Sequence, residues 1–137
     1  MAVALDSDAL IAFLDRSDAL HKPADAHIRS LSESQAFWVS VITYAEVLTG
    51  ARLGHHDMET ISGFFGNFVS RVVPTDVRVA DRAAELRADN RYLKMPDALI
   101  VATADVEEGV ELLLTGDKKL ARIEGLDCEV RVLKPPA

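Results

Sequence analysis

The segment Met95-Pro96-Asp97-Ala98-Leu99-Ile100-Val101-Ala102-Thr103-Ala104 constrains the fold more than any other part of the chain. Its pattern predicts a helix with a sharp start. Proline suits the first helical position, because its missing N–H would have no intrahelical partner there. Asp97 then falls in the first turn, where free N–H groups and the macrodipole favour negative charge. The residues that follow are apolar nearly all round, which places the helix in the core and not across its surface. Alone, Asp97 is explained as a charge suited to a helix end. Whether it means more depends on other carboxylates converging on it.

A chain of 137 residues fits one domain around a single core. With 49% hydrophobic and 27% charged residues it has the composition of a soluble globular protein. Its one cysteine, Cys128, forms no internal disulfide and belongs to no Cys-x-x-Cys motif, so a reducing cytoplasm is expected. Met1 to Leu5 is apolar but has no basic region before it, and Asp6 and Asp8 interrupt any signal-peptide core. No apolar run approaches the roughly 18 residues of a membrane span. A net charge of −7 argues against broad, charge-driven binding to nucleic acid. It leaves room for an enzyme that grips nucleic acid locally around metal ions, and it would also suit a basic partner segment.

Along the chain, Val3-Ala4-Leu5 has the pattern of a strand buried on both faces, ended by Asp6. Ser7 or Asp8 is placed to cap a helix through Leu14. Ser17 to Pro23 is turn-like, and a second helix is expected from Pro23 to Leu31. Phe37 to Ser40, aromatic and β-branched, reads as the next strand. Thr43-Tyr44-Ala45-Glu46 has the form of a capping box, opening a helix that stops near Gly54. A further helix from about His56 to Phe68 carries an aromatic stripe, suited to the core or to a subunit interface, though Gly63 and Gly66 weaken it. Val72-Val73-Pro74 makes a short strand, and Thr75 is expected to cap a helix to about Asn90. Val110 to Thr115 is a buried strand, Gly116-Asp117 turns into a short helix from Lys118 to Ile123, and Glu129 to Leu133 alternates as an edge strand before a tail at 135–137.

Strands alternating with helices indicate an α/β fold with a mostly parallel central sheet flanked by helices. In such a sheet the strand ends and the following helix starts share one rim, where ligands bind. Asp6 follows the first strand, Glu46 and Asp97 begin helices, and Asp117 follows the late strand. All four carboxylates are therefore expected on that rim. At an effective dielectric of 20, two charges about 5 Å apart repel by roughly 3 kcal/mol. Summed over every pair among four, this reaches very roughly 20 kcal/mol, against a domain stability of about 5–15 kcal/mol. A tight cluster must bind cations, take up protons or recruit Lys and Arg. No histidine or cysteine is spaced to join it, and an all-oxygen donor set suits Mg²⁺ or Mn²⁺ over zinc. Such an ion activates water and clamps phosphoryl oxygens.

Four segments carry a family resemblance: Val3 to Ser7, the Glu46 helix, Pro96 to Ala104, and Leu114-Thr115-Gly116-Asp117. They resemble the signature regions of PIN-domain proteins. Their order, their spacing and the chain length are similar to those of the VapC toxins of bacterial toxin–antitoxin pairs. The resemblance covers essentially the whole chain, with residues 1–134 as one PIN-like domain. It implies a Mg²⁺- or Mn²⁺-dependent ribonuclease in which Asp6, Glu46, Asp97 and Asp117 hold metal and activate water, with Ser7 and Thr115 as the hydroxyl neighbours of the first and last acids. It further implies a homodimer, a VapB-type antitoxin and a structured RNA substrate such as tRNA or rRNA.

Asp8 departs from the family pattern, either capping the first helix or enlarging the acidic site. Asp6-Ser7-Asp8 also resembles the Asp-x-Asp motif of haloacid-dehalogenase-type phosphatases, in which the first Asp is a nucleophile. That reading lacks a matching Lys motif and leaves Glu46 without a role. A non-catalytic PIN-like interaction module is the other alternative. Arg82, Arg87, Arg91 and Lys94 form the most basic region, read as a solvated face or as a phosphate-contacting rim. Whether His55 and His56 touch substrate is left open by the sequence.

Overall fold

A computed structural model describes residues 1–135; of the expected tail, Pro136 and Ala137 lie outside the described residues. Five parallel strands form one sheet: β1 (Ala2–Leu5), β2 (Ala36–Ser40), β3 (Val69–Val73), β4 (Val110–Thr115) and β5 (Glu129–Val132), in the order β3-β2-β1-β4-β5. Six helices flank it: α1 (Ser7–Leu14), α2 (His21–Ser32), α3 (Val41–Arg52), α4 (Met58–Asn67), α5 (Val77–Asp89) and α6 (Met95–Val106). A short 3-10 helix spans Lys118–Arg122.

Strand alternation sorts the core into two layers. Val3 and Leu5 of β1, Phe37 and Val39 of β2, and Leu112 and Leu114 of β4 face α1, α2, α3 and α4. Ala4 and Leu113 face the other way, onto α5 and α6. The expected burial of α6 is borne out: Ala98, Ile100, Val101, Ala102, Thr103 and Ala104 are all buried. The aromatic stripe of α4 is core, with Phe64 stacked on Phe68 at 4.9 Å between ring centroids and Phe68 on Phe37 at the same separation. Gly54 stops α3 as expected, with φ +83 and its N–H donating to Ala51 O at 3.1 Å.

α2 begins at His21, two residues before the expected Pro23, and α4 at Met58, two after the expected His56; three helix caps also differ from the sequence expectation. Asp6, not Ser7 or Asp8, caps α1 by accepting from Ser7 N. Ser40 caps α3 and accepts from Thr43 N, so the helix begins three residues before the expected capping box. Thr43 is thereby buried inside the first turn with Oγ1 unbonded, and Glu46 sits in the second turn without a capping role. Asp76, one residue past Thr75, caps α5 by accepting from Val79 N at 3.0 Å. For α3 and α5 a Ser or Asp upstream or downstream of the expected Thr supplies the capping oxygen, in line with the stronger preference for those residues.

Arg82 leaves the expected basic rim. Its Nε lies 2.8 Å from Asp105 of α6, and its Nη2 donates to Gly125 O at 3.0 Å, which ties α5 to α6 and to the loop before β5. Cys128 is buried there, its thiol pushed up to about 11 chiefly by desolvation, which makes it inert. Among the described residues, no helix is long and apolar enough to cross a membrane.

Candidate active site

The strand order fixes where the site lies. From β1 the chain proceeds to β2 and β3 on one side, then returns to β4 on the other, so the crevice at the carboxyl ends of β1 and β4 is the topological switch point. Leu5 pairs with Leu114 in register, which sets Asp6 beside Thr115. Thr115 Oγ1 donates to Asp6 Oδ2 at 2.7 Å and accepts from Asp117 N at 3.0 Å. One buried hydroxyl thus holds the carboxyl of β1 against the turn that carries Asp117. Asp117 in turn accepts from Lys119 N at 3.0 Å, capping the 3-10 helix.

Asp8 belongs to this end of the site. Its Oδ1 accepts from Gly116 N at 2.9 Å, a link between residues on distant elements that no local pattern announces. A Cβ at Gly116 would lie 2.8 Å from Leu20 Cδ1 and 3.0 Å from Asp8 Oδ2, so glycine is the residue that allows the approach. Asp6 and not Asp8 caps α1, and Asp8 lies close enough to Asp6 to raise its pKa.

The helices complete the cluster. Ser7 Oγ donates to Glu46 Oε1 at 2.6 Å, linking the start of α1 to the second turn of α3. Asp97, in the first turn of α6, is half-buried and accepts no hydrogen bond among the described residues. Its charge is felt by three partners: Asp117 and then Glu46 push its pKa up after desolvation, and Asp97 in turn raises that of Asp6. The structure therefore brings together Asp6, Glu46, Asp97 and Asp117 on one rim, with Ser7, Asp8 and Thr115 between them.

Asp6 is 6% exposed, and its pKa rises from 3.8 to about 7, first through loss of hydration and then through the neighbouring Asp8. Asp8 is also raised, mainly by desolvation. Two ammonium groups temper the cluster: Lys119, absent from the sequence expectations, and Lys94, expected only as part of the basic region, both pull the Asp97 pKa back down. Lys119 stands two residues after Asp117, a spacing that could have announced it. On the opposite flank, the half-buried His56 packs on Gly50, where a Cβ would meet its Cδ2 at 2.8 Å, and it lines a cleft of about 340 Å³ with Ser7, Asp8 and Glu46. His55 is exposed.

The donor set is all oxygen, with carboxylates and flanking hydroxyls but no thiolate, and this chemistry fits a hard divalent cation. Asp6 holds high proton affinity in a desolvated position, and Asp97 keeps both oxygens free. Among the described residues, no three His, Cys, Asp or Glu side chains are already drawn into a closed ligand set.

Comparison with known proteins supplies the family. A model of the PIN domain matches residues 3–126. A chain of a toxin–antitoxin complex from Klebsiella pneumoniae is 27% identical, with a TM-score of 0.72 over 98% of this chain and 100% of that one. A chain of VapBC2 from Rickettsia felis, bound to a fragment of promoter DNA, reaches a TM-score of 0.77 at 16% identity, covering 98% and 100%. The Mycobacterium tuberculosis toxin VapC20, which cleaves the sarcin–ricin loop, gives 0.67 at 18% identity, covering 93% and 99%. No match was found among curated protein sequences. Membership in a PIN family removes the phosphatase alternative, since the Asp-x-Asp resemblance is a short stretch of a fold matched along most of the chain. The chain belongs to the PIN domain family.

Proposed function

We propose that this protein is a Mg²⁺- or Mn²⁺-dependent endoribonuclease and the toxin of a VapBC-type pair. The observation that carries this reading is the convergence of Asp6, Glu46, Asp97 and Asp117 at the switch point from four distant parts of the sequence. Asp6, Glu46, Asp97 and Asp117 would hold the metal, which supplies an activated water and a clamp on a phosphoryl oxygen. Thr115 fixes Asp6 relative to Asp117, and Ser7 fixes one oxygen of Glu46, so the donors are oriented before substrate arrives. Asp97, unbonded, turns toward whatever occupies the space between them.

A VapB-type antitoxin partner is supported by the nature of the structural matches, which come from VapBC complexes and a further toxin–antitoxin complex. The groove beside the site adds a physical reason. It is lined by Ile11, Leu14 and Ile61 together with Asp15, Asp57, His55 and His56, and its two carboxylates beside apolar side chains suit a basic amphipathic segment. A cytoplasmic location, a homodimer and a structured RNA such as tRNA or rRNA complete the proposal.

The test is cleavage of total RNA by partner-free protein with Mg²⁺ or Mn²⁺. Wild type should cut, and Asp6→Asn and Asp97→Asn should each lose at least a hundredfold in rate, about 3 kcal/mol of transition-state stabilisation. Equal cleavage by folded variants would sink the assignment. RNA left intact by wild type with either metal would favour the non-catalytic interaction module.

A further inference from the structure

The two flanks of the acidic cluster differ in charge, and one of them has unspent cations. Most arginines outside it are paired: Arg71 and Arg78 with Glu107, Arg82 with Asp105, Arg29 with Asp25, Arg131 with Glu129. Among the described residues, Arg87, Arg91, Lys94 and Lys119 have no carboxylate within salt-bridge distance; the same holds for scattered cations such as Arg16, Arg52 and Lys134, and what sets these four apart is that they cluster. These four gather where α5 ends and α6 begins, beside Asp97 and Asp117. In a chain of net charge −7, this concentration is a local positive field next to the proposed catalytic rim.

The same corner has apolar surface in a concave form. Ala84, Arg87, Ala88, Arg91 and Met95 line a hollow of about 590 Å³. Ala84, Arg87 and Ala88 recur at helical spacing along one face of α5, and the two alanines leave room that larger side chains would fill. Met95, 45% exposed, closes the end nearest Asp97. Tyr92, 41% exposed, donates its hydroxyl to Lys119 O at 3.3 Å, which ties this loop to the turn bearing Asp117. Arg87 donates through Nε to Leu93 O at 3.0 Å, so its guanidinium is held in place over the hollow's edge.

We infer that the corner between α5 and α6 is the track along which single-stranded RNA enters the acidic site: the hollow takes an unpaired nucleobase, and Arg91, Lys94 and Lys119 hold the adjoining phosphates. This rests on the ribonuclease reading and adds the substrate's form and path. An apolar hollow edged by guanidinium groups, with an exposed tyrosine nearby, suits an unstacked base, while the ammonium groups suit phosphate. A duplex would present its bases to neither. The opposite flank mixes Asp15 and Asp57 with His55 and His56, so the corner between α5 and α6 is the more favourable side for a polyanion.

The experiment measures binding of a fluorescent uridine-rich oligoribonucleotide to Asp6→Asn protein without divalent metal, so that no cleavage intervenes. Arg91→Ala and Lys94→Ala should each weaken binding several-fold and reduce the slope of log affinity against log salt by about 1. Ala88→Phe, an exposed helical change that fills the hollow, should weaken binding several-fold with the slope unchanged. An oligonucleotide carrying 4-thiouridine should crosslink to residues 84–95, and a duplex of the same sequence should compete poorly. Equal binding by all three variants, or crosslinks confined to the His56 flank, would overturn the track. So would Ala88→Phe altering oligomeric state in sedimentation with RNA affinity intact, since the hollow would then seat a second copy. Failure of the ribonuclease reading appears separately, as RNA left intact by wild type with metal, because this binding assay requires no cleavage.

Discussion

Asp6 and Asp97 bring the same carboxyl group to one rim under opposite restraints. Asp6 sits at a strand end, is almost fully buried, and has both oxygens engaged, one by Ser7 N and the other by Thr115 Oγ1. Asp97 sits at a helix start, is half-buried, and has neither oxygen engaged among the described residues. The sheet-edge half of the site is a fixed anchor whose cost is electrostatic. The helix-borne half is free to turn toward a cation. The difference shows how a fold can hold several acids together without metal: one takes up a proton, and another is set against two lysines that offset part of its desolvation.

The largest test of that contrast is pH. Asp6 has a folded pKa of about 7 against 3.8 for the free group, so the native state keeps a proton that the unfolded chain releases between these values. Its contribution to stability is full below about pH 4 and is lost as pH rises to about 7, at up to about 1.4 kcal/mol per pH unit. Asp15, Asp57 and Asp76, whose pKa values are lowered, act in the opposite sense, but only below about pH 4. The melting temperature of metal-free protein should therefore fall from pH 5 to pH 8, and added Mg²⁺ should raise it more at pH 8 than at pH 5. A shallower profile in Asp6→Asn would assign that share of the fall to the anchor, the remainder coming from Asp8 and Asp97, which are raised in the same direction.

A smaller effect is expected at the glycine that lets the anchor close. Gly116→Ala puts a Cβ against Leu20 and Asp8, which should cost about 1–3 kcal/mol of stability. It should also slow cleavage by moving Asp117 with the turn. Denaturant unfolding and a cleavage rate check the two parts. The mildest change is Ser7→Ala, which frees Glu46 from its only hydrogen bond among the described residues. At this exposed contact about 0.5–1 kcal/mol is at stake, so metal affinity and cleavage should fall only a few-fold.

How much of this was legible in the sequence follows the range of each interaction. The buried α6 helix, the parallel α/β order and the rim shared by Asp6, Glu46, Asp97 and Asp117 all rest on local periodicity plus a general rule of topology. Caps were displaced by one to three residues because Ser40 and Asp76 stand within three residues of the expected Thr43 and Thr75 and are the stronger caps. The link from Asp8 to Gly116 and the pairing of Arg82 with Asp105 join residues far apart in sequence, so no spacing could announce them. Without Arg82, the basic region contracted to the corner beside Asp97.

Metal binding tests the central claim most directly: that four acids from distant segments act as one site. Titrating Mn²⁺ into metal-free protein by calorimetry, at a pH above 7 where Asp6 is ionised, should give saturable binding to wild type. Asp97→Asn, with its fold verified by circular dichroism, should lose that binding at least tenfold, although Asp97 lies on a different element from the other three acids. Equal affinity in wild type and Asp97→Asn would mean that the carboxylates are independent, with Asp97 no more than a charge at the head of its helix.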